Sequence, residues 1–323
     1  MVSFLETALG LAILLVSADF LVRGAIAMAQ RFGVSTLMIG LTVVAFGTSA
    51  PEFVTSLAAA MRGLPGMAVG NIVGSNIANS LLVIGAACLV RPFVCSARVV
   101  TRDGMVMVAA TVLFIAMALM GGIERWQGII LLATLFIYLG TSYRSESRHP
   151  KLDNPMAQEV EEIKGIPTHV GLAFSTVFLA TVGLALGSRL LVSGGIDIAT
   201  MFGVPPEVIG LTLIALGTSL PELATVIIAA LRRHGDVAMG NVVGSNIFNL
   251  LAIGGGVALV EPIRVPAQIL RFDLWVMLAV AGMMMLMLAG SRTTRRWQGA
   301  LLTVVYLVYI GAQYGPLRYV FDI

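Results

Sequence analysis

The sequence predicts an all-α polytopic membrane protein with ten transmembrane helices, arranged as two inverted-topology repeats of five. Three observations predict it. First, of 323 residues 58% are hydrophobic and only 11% charged, against roughly 25% charged in an average soluble domain, and the mean hydropathy is +0.95. Second, residue i written against residue i+170 is identical at 31 of the 61 positions from Phe32 to Pro92, without a gap. Third, each half carries five apolar runs, an odd number, so the two halves must enter the membrane from opposite sides. The net charge of +3, without a dense basic patch, excludes a nucleic-acid-binding protein.

A helix crossing the hydrocarbon needs about 20 apolar residues. In the first repeat, residues 1–141, such runs lie near 4–22, 36–61, 67–90, 103–121 and 125–141. In the second, residues 168–323, they lie near 170–189, 206–231, 237–260, 273–290 and 297–314. The first run, with Ala27-Met28-Ala29 behind it, has some look of a secretion signal. No positive charge precedes it, Asp19 and Arg23 interrupt the segment between its core and that site, and a matching span opens the second repeat, so it is expected to stay. Residues 142–167 are largely polar, hold three prolines and read as a linker. With the N-terminus outside, fourteen Lys and Arg fall on the cytoplasmic side and six on the outer side. That excess places the linker in the cytoplasm and both termini outside.

Chemistry concentrates in the second and third spans of each repeat. Glu52 and Glu222 are repeat equivalents and lie well inside apolar runs. A charge there costs about 2.5–3.5 kcal/mol even on the lenient insertion scale, and no lysine or arginine lies at matching depth. Their counter-charge must therefore be a proton or a cation that comes and goes. A permanently protonated structural acid is the alternative, which two equivalent positions disfavour. Pro51 and Pro221 remove the donor to the carbonyls of Gly47 and Gly217, so locally opened helices are expected, with carbonyls near Ala45 and Ala215 turned into a cavity. Thr48 stands four residues before Glu52, on its face, with Ser49 beside it; Thr218 and Ser219 repeat this before Glu222.

The following span adds a polar stripe at helical spacing: Asn71, Ser75 and Asn79, repeated as Asn241, Ser245 and Asn249. These side chains suit either a site or interhelical hydrogen bonds. Every donor atom is oxygen, which favours Ca²⁺, Na⁺ or Mg²⁺ over zinc or copper, and Mg²⁺ sheds its waters reluctantly. His149, His169 and His234 make no cluster, Cys88 and Cys95 form no CxxC pair, and the seventeen methionines read as packing or lipid-facing residues.

At Gly47–Glu52 and Gly217–Glu222 (GTSxPE), and at Gly70–Asn76 and Gly240–Asn246 (GNxxGSN), the sequence resembles the cation/calcium exchanger superfamily, specifically the prokaryotic sodium/calcium antiporters. The resemblance covers essentially the whole chain. It implies four central ion sites between the second, third, seventh and eighth helices, in a protein of the prokaryotic plasma (inner) membrane. Carried over by motif, the implied ligands are Ala45 (carbonyl), Thr48, Ser49, Glu52, Ser75 and Asn79, with Ala215 (carbonyl), Thr218, Ser219, Glu222, Ser245 and Asn249. Several relatives carry aspartate where Asn249 stands, so this chain offers two carboxylates rather than three. The implied activity is secondary antiport of Ca²⁺ against Na⁺ by alternating access, with H⁺ as the alternative coupling ion. Both ions are substrates; no resident cofactor and no enzymatic activity are expected. An intramembrane protease would leave the flanking hydroxyls and amides without purpose. A channel is disfavoured because two fixed charges in a deep cage hold a divalent ion too firmly for rapid flow.

Overall fold

A backbone in hydrocarbon must satisfy its own hydrogen bonds, so apolar runs of this length fold as helices. In the computed structural model of the chain the described residues are 2–96, 102–147, 169–203, 217–290 and 293–314. The helices of the first half are α1 (Val2–Phe32), α2 (Thr36–Met61), α3 (Pro65–Val90), α4 (Gly104–Leu119) and α5 (Arg125–Ser147). Those of the second are α6 (Val170–Met201), α7 (Leu220–Leu231), α8 (Gly235–Val260), α9 (Leu274–Gly290, entered through a π-turn at Ile269–Asp273) and α10 (Arg296–Tyr314). Among the described residues, seven of these are long and apolar enough to cross a membrane, and α4 and α7 are shorter apolar helices.

Helices α1 and α6 depart most from the expected spans. They run for 31 and 32 residues, through the charged Arg23 and Arg189 at which the apolar runs end. At 1.5 Å per residue each is about 47 Å long, well beyond the roughly 30 Å hydrocarbon thickness. They support each other. Gly194 of α6 packs on Ser3 and Thr7, Gly187 on Gly10 and Leu14, and Gly183 on Ser17, while Gly24 of α1 packs on Val177. The numbers fall along one helix as they rise along the other, so the pair is antiparallel. Because α1 and α6 open the two repeats, this contact makes the repeats inverted. Small residues at the seam let the backbones touch: a Cβ on Gly187 would stand 2.7 Å from the Leu14 amide nitrogen.

The same symmetry recurs elsewhere. Gly85 of α3 packs on Gly299 and Thr303 of α10, and its counterpart Gly255 of α8 packs on Gly128 and Leu131 of α5. Short antiparallel bridges tie the loops, Val94 with Thr293 and Ile123 with Ile263. Asp19 of α1 pairs with Arg23 at 2.7 Å and with Arg232, just past α7. Helix α5 continues to Ser147, six residues into the stretch read as a linker, and residues 148–168 lie outside the described residues.

The centre of the bundle is α2, α3, α7 and α8. From Gly235 to Phe248, every residue of α8 except Asp236 is buried. Among the described residues, three π-turns interrupt this core, at Gly40–Val44 in α2, Asn79–Val83 in α3 and Asn249–Ile253 in α8. The last two are repeat equivalents, and each begins on an asparagine of the polar stripe. A π-turn inserts one residue into the helical ladder, a device frequent at functional sites.

Candidate cation site

Helix α2 brings Thr48, Ser49 and Glu52 into the core, all three buried. The break expected at Pro51 is absent here: α2 is helical from Ala45 onward with Pro51 inside it, and the irregularity is the π-turn that ends at Val44. Neighbouring helices hold the turn in place despite the missing bond, and α6 presses Thr181 against Gly47, where a Cβ would come within 2.7 Å of its hydroxyl. The second repeat does open. Thr218 and Ser219 form a turn, and Pro221 sits in the first turn of α7, where a missing N–H costs nothing. The Gly217 carbonyl that Pro221 leaves unpaired accepts a 2.5 Å hydrogen bond from Ser188 of α6. Ala215 lies outside the described residues.

Across the interface, side chains of one repeat meet those of the other. Ser49 donates to Glu222 Oε1 at 3.0 Å, and Ser245 reaches the same oxygen at 3.5 Å. Thr48 lies 3.4 Å from the Ser245 hydroxyl, 3.3 Å from the Ala45 carbonyl and 3.0 Å from Asn241 Oδ1. Thr218 donates to Asn71 Oδ1 at 3.4 Å, and Asn71 Nδ2 donates to Ser56 Oγ at 2.9 Å and to the Glu52 carbonyl at 3.3 Å. Glu52 and Glu222 are close enough to interact electrostatically. Asn79 and Asn249 are fully buried at their π-turns, and Ser75 and Ser219 are buried on α3 and beside α7. The structure thus joins Thr48, Ser49, Glu222 and Ser245 through direct contacts, and Asn71 joins Thr218 to the backbone carbonyl of Glu52.

The polar atoms left over define the site. Both carboxylate oxygens of Glu52, Oε2 of Glu222, both amide atoms of Asn79 and of Asn249, and the Ser219 hydroxyl are buried without a hydrogen-bond partner. Each such orphan costs about 1–3 kcal/mol, and a buried carboxylate without a counter-charge costs more. Among the described residues no salt bridge reaches either glutamate, and no three His, Cys, Asp or Glu side chains converge. The donor set is carboxylate, hydroxyl, amide and carbonyl oxygen, which fits a hard cation. Several polar residues of this core had no place in the expected ligand set, among them Asn71, Asn241 and Thr225. Asn71 and Asn241 join the two repeats, and Thr225, one turn past Glu222, buries an unpartnered hydroxyl. Their signal in the sequence is identity between repeats: Thr55 matches Thr225 as Asn71 matches Asn241.

Away from the core, Cys95 is buried in the loop after α3. Burial, with smaller contributions from Asp236 and Cys88, lifts its pKa to about 12, leaving an inert thiol at neutral pH.

An inverted-repeat helical bundle with an oxygen-lined, charge-uncompensated site at its centre defines a multi-pass membrane protein that handles cations. Residues 2–144 and 172–315 match the family of sodium/calcium exchanger proteins, and the chain belongs to that family. It is 37% identical over 305 residues to a putative antiporter, CaxA, of Alkalimonas amylolytica, covering 93% of this chain and 95% of that one. It is 32% identical over 346 residues to the sodium/calcium exchanger MaX1 of Methanosarcina acetivorans, covering 96% and 97%. The inner membrane protein YrbG of Escherichia coli is 35% identical, covering 94% of each chain. Among solved structures, the sodium-calcium exchanger NCX_Mj soaked with zero Na⁺ and Ca²⁺ superposes with a TM-score of 0.79 at 29% identity, over 96% of this chain and 98% of that one. The chain shares that exchanger's ten-helix inverted-repeat fold.

Proposed function

We propose that this protein is a secondary antiporter that exchanges Ca²⁺ for Na⁺ across a prokaryotic plasma membrane by alternating access. The observation that carries this reading is the pair of buried glutamates, with both carboxylate oxygens of Glu52 and one of Glu222 unpartnered, in a core that also buries the unpartnered amides of Asn79 and Asn249 and the Ser219 hydroxyl. Glu52 and Glu222 supply the charge. Thr48, Ser49, Thr218, Ser219, Ser75, Ser245, Asn79 and Asn249, with the carbonyls of Ala45 and Ala215, replace the water that a cation sheds on entry. Two carboxylates balance one Ca²⁺ or two Na⁺, so each ion neutralises the site the other vacates, while an empty charged site is too costly to reorient. That penalty turns binding into exchange. The linker at 142–167 faces the cytoplasm in this reading, separating exchanger repeats 1–141 and 168–323, and both termini face outward.

Radiolabelled Ca²⁺ uptake into vesicles loaded with the purified chain tests the reading. Uptake is expected when Na⁺ is high inside and absent outside, and not when Na⁺ is equal on both sides. Uptake driven by a pH gradient without Na⁺ would replace Na⁺ by H⁺. Uptake that ignores both gradients would refute antiport.

A further inference from the structure

We propose that Asn71 and Asn241 are positioning residues of the cation site, each acting across the repeat boundary on the threonine of the other half. The contact occurs twice. Thr48 of α2 meets Asn241 of α8 at 3.0 Å, and Thr218, just before α7, meets Asn71 of α3 at 3.4 Å. Adding 170 to 48 and to 71 gives 218 and 241, so one cross-repeat bond is drawn twice by the pseudo-symmetry.

A threonine hydroxyl has one proton and two lone pairs, whereas an amide oxygen can only accept. Thr48 facing Asn241 Oδ1 must therefore donate, and its lone pairs are left for a cation. The competing acceptors are the Ser245 hydroxyl at 3.4 Å and the Ala45 carbonyl at 3.3 Å, the latter itself an oxygen the site needs. Donation there would occupy a carbonyl lone pair on the ion side. The nearer asparagine draws the proton away, so one contact frees two oxygens. This is the logic by which outer groups fix the orientation of metal ligands.

The two asparagines are not held alike. Asn71 is anchored within its own repeat, through Ser56 at 2.9 Å and the Glu52 carbonyl at 3.3 Å. Val226 stands where a second Ser56 would be and cannot accept a hydrogen bond, and the Asn241 Nδ2 group is buried without a partner. Asn241 is therefore held through its oxygen alone, by Thr48 and by Ser245 at 3.4 Å. The Thr48–Asn241 arm, shorter and without a second anchor, should show the stronger coupling.

This assignment rests on the reading of Thr48 and Thr218 as cation ligands, and equilibrium Ca²⁺ binding to the purified full chain in detergent tests it without requiring Na⁺ coupling. The variants are Asn241→Leu with Thr48→Val, Asn71→Leu with Thr218→Val, and the mismatched pairs Asn241→Leu with Thr218→Val and Asn71→Leu with Thr48→Val. Each single change is expected to weaken Ca²⁺ binding by about 10–100-fold. The matched doubles should bind no more weakly than the worse single change, because the asparagine has nothing left to orient. The mismatched doubles should multiply. An asparagine serving only helix packing would lower the melting temperature without matched coupling. If leucine prevents monodisperse elution, alanine at the same positions enters the same cycle. Matched doubles that multiply would overturn the positioning role while leaving the exchanger reading intact. A wild-type chain that binds no Ca²⁺ would overturn both.

Discussion

Glu52 and Glu222 occupy equivalent positions but are held differently. Glu222 accepts from Ser49 on one oxygen, which Ser245 approaches at 3.5 Å while its single proton is shared with Asn241, whereas neither oxygen of Glu52 has a partner. Both are needed for charge balance, because one carboxylate leaves a dehydrated divalent ion uncompensated by several kcal/mol. Glu52→Gln and Glu222→Gln are each expected to abolish Ca²⁺ transport while the protein inserts and elutes normally; near-normal flux in either folded variant would refute the site. Asn249 offers a second test. It is fully buried with both amide atoms unpartnered, so an aspartate there adds a charge in nearly the same volume. Asn249→Asp should bind Ca²⁺ more tightly at high pH. A carboxyl loses its charge as pH falls through its pKa, so affinity in the variant should drop with acidification more steeply than in wild type. Parallel pH profiles would show that position 249 lies outside the cage. Both glutamates were legible as residues because an acid inside an apolar run is costly wherever the helix packs. The anchoring of one and not the other was not, since it depends on serines from two different helices.

At the scale of elements, the two prolines behave differently in identical motifs. Around Pro51 the helix continues; before Pro221 it breaks into a turn, and Ser188 supplies the missing donor to Gly217. A proline in a sequence marks a lost hydrogen bond, and only the neighbours decide how the orphan carbonyl is served. Ser188→Ala removes that donor, with an expected cost of about 1–3 kcal/mol, seen as a lower melting temperature in detergent. Ser188→Thr retains a hydroxyl and should restore most of it. Equal melting of wild type and the alanine variant would mean that water already serves Gly217. The lengths of α1 and α6 carry a similar lesson. Arg23 and Arg189 end the apolar runs, yet the helices continue because their glycine-lined seam stabilises them beyond the hydrocarbon.

For the whole molecule, the distribution of charge sets orientation and charge movement. The distribution of Lys and Arg favours both termini outside. In a background lacking Cys88 and Cys95, cysteines at Ser147 and Ser291 should resist impermeant thiol reagents in intact cells, and a cysteine at Gly122 should react. The reverse pattern would turn the protein over without disturbing the inverted repeat. Charge balance sets the last expectation. Two ionised glutamates match two Na⁺ or one Ca²⁺, and a third Na⁺ would leave net positive charge where repulsion is weakly screened. Reconstituted exchange under a clamped potential should therefore carry little net current. A rate that responds steeply to potential, with a Na⁺ dependence needing three ions, would refute the two-charge cage.

The sequence by itself determined the membrane class, the duplicated halves and their inversion, and the two glutamates with their hydroxyl and amide company. These follow from hydrophobicity, from a fixed offset and from an odd number of spans, none of which needs coordinates. Tertiary structure decided which atom of one repeat meets which atom of the other. Nothing in the order of residues states that Thr48 faces Asn241, that Thr218 faces Asn71, or that Asn79 and Asn249 open π-turns. Spacing along one helix sets only which residues share a face. The partner of that face is chosen by how four helices from two antiparallel halves pack, and that choice belongs to the whole chain at once.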